Sequence, residues 1–175
     1  MSDRQPVKIV VMGVSGAGKS TVGRLIAERF GAVFIDGDDL HAPEAVEKMR
    51  SGVPLVDDDR WPWLDRVAAR LAAAGTDGGA GVVIACSALR KVYRDRIRAG
   101  AGAGLIFVHL SGGRDTIAGR QAARQGHYMP AGLMDSQFRT LEEPVGEPDV
   151  VAVDIGPGPE AIAAAAVARL AERTA

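Results

Sequence analysis

The segment Gly13-Val14-Ser15-Gly16-Ala17-Gly18-Lys19-Ser20 is built to hold phosphate. Glycines allow successive backbone N–H groups to curl toward one anion, and the start of a helix adds positive dipole at the same place. Lys19 then reaches the outer phosphates of a nucleoside triphosphate, Ser20 offers its hydroxyl to Mg²⁺, and Gly13, Ser15, Gly16, Ala17, Gly18 and Thr21 complete the cradle. The context is right for it. An apolar run, Val7 to Met12, leads in, and Val22, Leu25, Ile26 and Phe30 share one face of the helix predicted over Thr21 to Phe30. A glycine-rich turn that matched by accident would have neither neighbour.

A second group of chemically capable residues follows in Asp36-Gly37-Asp38-Asp39-Leu40-His41. Side chains two apart on extended chain face the same way, so Asp36 and Asp38 are expected to point together toward the phosphates while Asp39 turns aside. One carboxylate can hold the Mg²⁺ shell and the other can accept the proton of an attacking hydroxyl; the competing role is capping of the next helix, above all for Asp39. Asp59 is expected to cap a helix whose first residues include Pro62, with Trp61 and Trp63 packing. Beside it, Arg60 suits either an acidic acceptor or an ion pair with Asp57 or Asp58, and spacing does not choose between them. Ser87 is expected to cap the basic helix that carries Arg90, Lys91, Arg94, Arg96 and Arg98, and to line the site as well. Cys86 and His109 read as structural. Arg114, Arg120 and Arg124 lie in a predicted helix, Asp115 to Gln125, before Gly126-His127-Tyr128-Met129-Pro130, which reads as a mobile lid over about 120–134. Such arginines can neutralise charge on a transferred phosphoryl group, although a solvated basic helix face is the commoner meaning of that pattern.

The elements that must position these residues alternate. Short β-type runs at Lys8 to Met12, Ala32 to Ile35, Val82 to Ala85, Leu105 to Leu110 and Val150 to Val153 are separated by helical patterns in most intervals, which predicts an α/β fold with a parallel five-stranded sheet covered on both faces. Ligands then sit beyond the carboxyl ends of the strands, where Gly13, Asp36, Cys86 and Ser111 fall. The glycine-rich stretches Gly75 to Gly81 and Gly100 to Gly104 precede strands and read as connectors. With 175 residues the chain is expected to form one domain over 1–175. Charge is balanced, 21 basic against 22 acidic residues, which argues against a nucleic-acid or anionic-membrane partner. A lone cysteine, a polar start and the lack of a long apolar span make a cytoplasmic protein the expectation. The helix expected near Ala161 to Leu170 is alanine-rich and too short to cross a bilayer.

In order along the chain, Gly13 to Ser20, Asp36 to His41, Lys48-Met49 with Gly52 to Leu55, Asp59 to Leu64, Ala85 to Leu89, Tyr93-Arg94-Asp95, Gly126 to Met129, Ser136 to Phe138 and Leu141-Glu142 resemble the gluconate kinases. The likeness spans nearly the whole chain, and its later motifs are far more restrictive than the phosphate loop. It implies a P-loop, nucleoside-kinase-like three-layer fold, a homodimer, and transfer of the γ-phosphoryl group of ATP to the 6-hydroxyl of D-gluconate with Mg²⁺. By the same resemblance Asp38 is the base, Asp36 with Ser20 supports the metal, and Arg120 and Arg124 belong to the lid. His41, Arg60, Ser87, His127 and Gln137, along with both aspartates, are the residues it offers for the polyhydroxy acid. Shikimate and adenylylsulfate kinases are the alternatives that share a loop and lid. A guanine-nucleotide switch would need an Asn-Lys-x-Asp segment, and the chain contains no asparagine.

Overall fold

The computed structural model describes residues 5–123 and 131–174. Among these, the chain runs β1 (Val7–Met12), α1 (Lys19–Phe30), β2 (Val33–Asp36), a short 3₁₀ turn (Gly37–Leu40), α2 (Pro43–Arg50), α3 (Asp57–Ala72), β3 (Gly81–Ala85), α4 (Lys91–Ala101), β4 (Leu105–Ser111), α5 (Arg114–Ala123), α6 (Ala131–Thr140), β5 (Val150–Asp154) and α7 (Pro159–Thr174). The strands form one parallel sheet in the order β2-β3-β1-β4-β5. β1 is central, with Val10 opposite Ile84 on one side and opposite Phe107 on the other.

Alternation along the strands divides the core into two layers. Ile9 and Val11 of β1, with Val83, Val108 and Leu110, pack against Val22 and Ile26 of α1 and Ile162, Ala163 and Ala166 of α7. Val10, Met12, Ile84 and Phe107 point the other way, onto Trp63, Leu64, Val67 and Leu71 of α3 and Tyr93, Ile97 and Ala101 of α4. Ala163 and Ala166 of α7 are fully buried in the first of these layers. Because β1 and β4 are covered on both faces, their sequences are nearly continuous apolar runs.

Several boundaries differ from the sequence expectations for local reasons. The connector expected at Gly100 to Gly104 begins inside the last turn of α4, which runs through Ala101. Helix α3 begins at Asp57, so Asp59 is its third residue rather than its cap, and Pro62 lies in the second turn. Asp59 still serves the helix start, accepting the Val56 N–H at 3.0 Å and, through both oxygens, the Lys48 ammonium of α2 at 2.8 and 2.9 Å. No helix among the described residues is long and apolar enough to cross a membrane.

Candidate active site

The chain reverses order beside β1, and the crevice beyond the strand ends there holds a cleft of about 930 Å³. The phosphate loop forms one wall. Gly13 donates its N–H to the Ser87 carbonyl at 3.3 Å, tying the loop to the segment after β3. Gly16 and Gly18 take left-handed backbone angles, φ 86° and 92°, and a Cβ on Gly16 would come within 2.4 Å of the Gln121 side chain. Any other residue would be strained at these positions. Among the described residues Gly18 caps α1 with no side-chain acceptor, and a helix start of this kind suits an anion. Lys19 donates to the Val14 carbonyl at 3.1 Å. Removal from water pushes its pKa down, against the pull of Asp38 first, then Cys86 and Asp36.

Facing the loop stands the acid pair. Asp36 ends β2, and each of its carboxylate oxygens accepts one hydrogen bond, one from the Ser20 hydroxyl at 3.1 Å and the other from the Asp38 N–H at 3.0 Å. The second of these bonds caps the 3₁₀ turn, so the capping aspartate is Asp36, not Asp38 or Asp39. Extended chain stops at Asp36, and the turn rather than strand alternation brings Asp38 to the cleft beside it. Gly37 makes this approach possible, since a Cβ there would lie 2.3 Å from the Ala85 carbonyl oxygen. Asp38 reaches the cleft opening, yet the walls around it strip enough water to raise its pKa, and the like charge of Asp36 raises it further.

The Ser20 hydroxyl and the Asp36 carboxylate are hard oxygen donors, the type that Mg²⁺ takes while keeping phosphate oxygens and water for its remaining positions. Among the described residues no group of three or more His, Cys, Asp or Glu is placed to hold a metal without such help.

The remaining wall comes from α2, α3, the segment after β3, and α6. The Trp63 indole donates to the Gly37 carbonyl at 2.7 Å, and His41 stacks on it with ring centroids 4.2 Å apart. Burial lowers the His41 pKa, aided by Arg66 and Arg60 and opposed by Asp38, and its buried Nδ1 has no hydrogen-bond partner among the described residues. Arg60 lines the cleft and also lies 3.5 Å from Asp57, so both roles weighed for it are present. Ser87, Met49, Leu133 and Gln137 line the same space. Gln137 Oε1 accepts the Ser15 N–H at 3.1 Å, joining α6 to the phosphate loop.

Lys19, Ser20, Asp36, Asp38, His41, Arg60, Ser87 and Gln137 are therefore brought together, along with Ser15, Gly16, Gly18 and Thr21. Gly13 and Ala17 lie buried in the loop behind them. Others fall differently. Arg120 donates to the Ile155 carbonyl and, at 2.6 Å, to that of Pro157, while its other nitrogen lies 3.5 Å from where a Cβ on Gly18 would stand. Arg114 pairs with Asp135, joining α5 to α6 away from the cleft. Arg124 and His127 lie outside the described residues, as does the centre of the expected lid. Ser111 lies outside the cleft lining; its carbonyl accepts the Ile155 N–H at 3.1 Å. Ser87 does not cap α4; the Glu142 carboxylate, distant in sequence, accepts the Lys91 N–H at 2.7 Å. Cys86 is buried at the cleft floor with its thiol pushed up to about 12 by loss of water, which makes it inert as a nucleophile. Sequence reasoning placed Tyr93 in a family-like motif but gave it no role. Its ring follows the apolar spacing of α4, but nothing local signals that its hydroxyl meets Asp57 at 2.6 Å.

A family model described as AAA domain matches residues 9–144. The thermosensitive gluconokinase of Escherichia coli (strain K12) is 43% identical over 147 residues, covering 83% of this chain and 78% of that protein. The gluconokinase of Gluconobacter oxydans (strain 621H) is 44% identical over 153 residues, covering 85% and 83%. In three dimensions, the crystal structure of a gluconokinase from Sinorhizobium meliloti 1021 superposes with a TM-score of 0.86 at 50% identity, over 98% of this chain and 97% of that one. A phosphate loop facing an acid pair is common to many kinases; combined with identity of this depth over most of the chain's length, it identifies the chain as a member of the gluconokinase family.

Proposed function

We propose that this chain is an ATP-dependent gluconokinase, forming 6-phospho-D-gluconate and ADP. The observation that carries the reading is one cleft lined by Lys19 and Ser20 of the phosphate loop together with Asp36, Asp38, His41 and Arg60, in a chain of the gluconokinase family. In this reading the backbone N–H groups from Ser15 to Ser20 hold the phosphates and Lys19 counters charge on the group in transit. Ser20 and Asp36 would hold Mg²⁺, which would draw negative charge from the phosphate oxygens. Asp38 accepts the proton of the 6-hydroxyl as that oxygen bonds to the γ-phosphorus and the bond to the β,γ-bridging oxygen breaks. Its raised pKa makes it a better proton acceptor than an ordinary aspartate. Arg60 meets the gluconate carboxylate, while His41, Ser87 and Gln137 meet its hydroxyls. Arg120, close to the phosphate loop at Gly18, adds positive charge on the phosphate side, and Arg124 and His127 complete the set in this reading.

An acceptor panel tests this. With Mg²⁺ and ATP, gluconate is expected to drive ADP release at least about 100-fold faster, as kcat/KM, than shikimate, adenylylsulfate or glucose. Equal turnover across the panel would overturn the substrate assignment.

A further inference from the structure

Arg60 has a carboxylate three residues before it on the same helix, close enough for a hydrogen-bonded ion pair, yet the nearest approach to Asp57 is 3.5 Å. Both Asp57 oxygens already accept a hydrogen bond from another donor. Oδ1 accepts the Tyr93 hydroxyl at 2.6 Å and Oδ2 accepts Arg90 Nη1 at 3.2 Å. The Tyr93 ring also lies under both cations, 5.6 Å from the Arg60 guanidinium and 5.4 Å from that of Arg90. Arg90 is shared with Glu142 at 3.6 Å, and Glu142 in turn accepts the Lys91 N–H. Of these five groups, Arg60 and Tyr93 line the cleft, whereas Asp57, Arg90 and Glu142 do not. The charge presented to an occupant at this end is that of Arg60.

We propose that Tyr93, with Arg90, sets acceptor specificity by keeping Asp57 occupied, so that the Arg60 fork stays open to the carboxylate of a sugar acid. The inference rests on the assignment of Arg60 to the acceptor carboxylate. An anion bound by Arg60 competes with Asp57, and the competition is decided by how many donors Asp57 already has. Tyr93 is suited to this because its hydroxyl brings a short bond and no charge. The bond holds the Asp57 carboxyl below the ordinary aspartate range, and loss of water raises the Tyr93 phenol, so acceptor and donor keep these forms at neutral pH. Tyr93 is a positioning residue in this scheme, acting through Asp57 on Arg60.

Tyr93→Phe keeps the ring and removes the bond. Freed, Asp57 Oδ1 closes on Arg60, and the KM for gluconate is expected to rise about tenfold while that for ATP moves less than about twofold. Adding Asp57→Asn removes the competing charge, so the double variant is expected to recover gluconate KM to within about threefold of the parent. A merely structural role for Tyr93 predicts the opposite, a double variant at least as impaired as the single one. An unchanged gluconate KM in Tyr93→Phe, or no recovery in the double variant, overturns the proposal. Arg60→Met separates the two levels: if it leaves gluconate KM unaltered, the placing of the carboxylate at Arg60 fails and takes this inference with it. If the parent protein does not phosphorylate gluconate at all, the functional reading itself falls.

Discussion

Asp36 and Asp38 are the same residue type two positions apart, and the fold makes them different. Asp36 spends both oxygens on Ser20 and on the backbone of the turn, which fits a metal support; Asp38 keeps its carboxylate for the cleft, with a pKa raised by lost water and by its neighbour. Asp38→Asn is therefore expected to lower kcat by about 10²–10⁴ with ATP affinity little changed. Because only the ionised form accepts a proton, kcat/KM should rise with pH through a limb that lies above the ordinary aspartate pKa. Ionisation of the same group costs the fold a little stability as pH climbs from the unfolded value through the raised one. Full activity in Asp38→Asn, measured by steady-state ADP release, would remove it as the base. The phosphate loop and both acids were legible in the sequence because their chemistry depends on residue type and close spacing. The Tyr93 bond to Asp57 was not, since it spans two helices and depends on where they pack.

Helix α4 carries four basic residues, Lys91, Arg94, Arg96 and Arg98, with Arg90 as its N-cap, yet Arg94 has no exposed surface. Its guanidinium donates to the Ala88 and Leu89 carbonyls at 2.8 and 3.0 Å, to the Glu142 carbonyl at 3.0 Å, and to both Glu147 oxygens at 3.0 and 2.7 Å. It fastens the segment after β3, which lines the cleft, to the segment after α6. Removing one partner of a buried pair is costly, but Arg98 also reaches Glu147, at 2.5 Å, and tempers the loss. Arg94→Met is expected to destabilise the protein by about 3 kcal/mol, read as a shift of the urea midpoint at constant slope. A change below about 0.5 kcal/mol, the size of an ordinary surface substitution, would show the node to be dispensable. The expected Ser87 cap failed for a related reason: the N-terminus of α4 is met by Glu142 across the fold, and a partner so far along the chain leaves no local trace.

The phosphate loop joins β1 and α1, and Gln137 ties it to α6, so an anion bound there is coupled to both core layers. A non-hydrolysable ATP analogue with Mg²⁺ at about 100 times its Kd is expected to add about 2.7 kcal/mol of stability, or about 5–10 °C in thermal midpoint for a chain of this size. Lys19→Met should abolish most of that gain, and an unshifted midpoint in the parent would contradict triphosphate binding. What the sequence alone determined was everything carried by local patterning: the parallel α/β class from alternating periodicity, the phosphate cradle from glycine and lysine spacing, and the order of motifs that marks the gluconokinase family. Tertiary structure decided which of two aspartates stays free, which arginine is buried, which carboxylate meets the start of α4, and whether Arg60 faces an open cleft or a captured partner. The first outcome depends on Ser20 and the turn backbone both binding Asp36, the others on contacts between residues far apart along the chain, where packing of the two layers, rather than residue type, sets the distance.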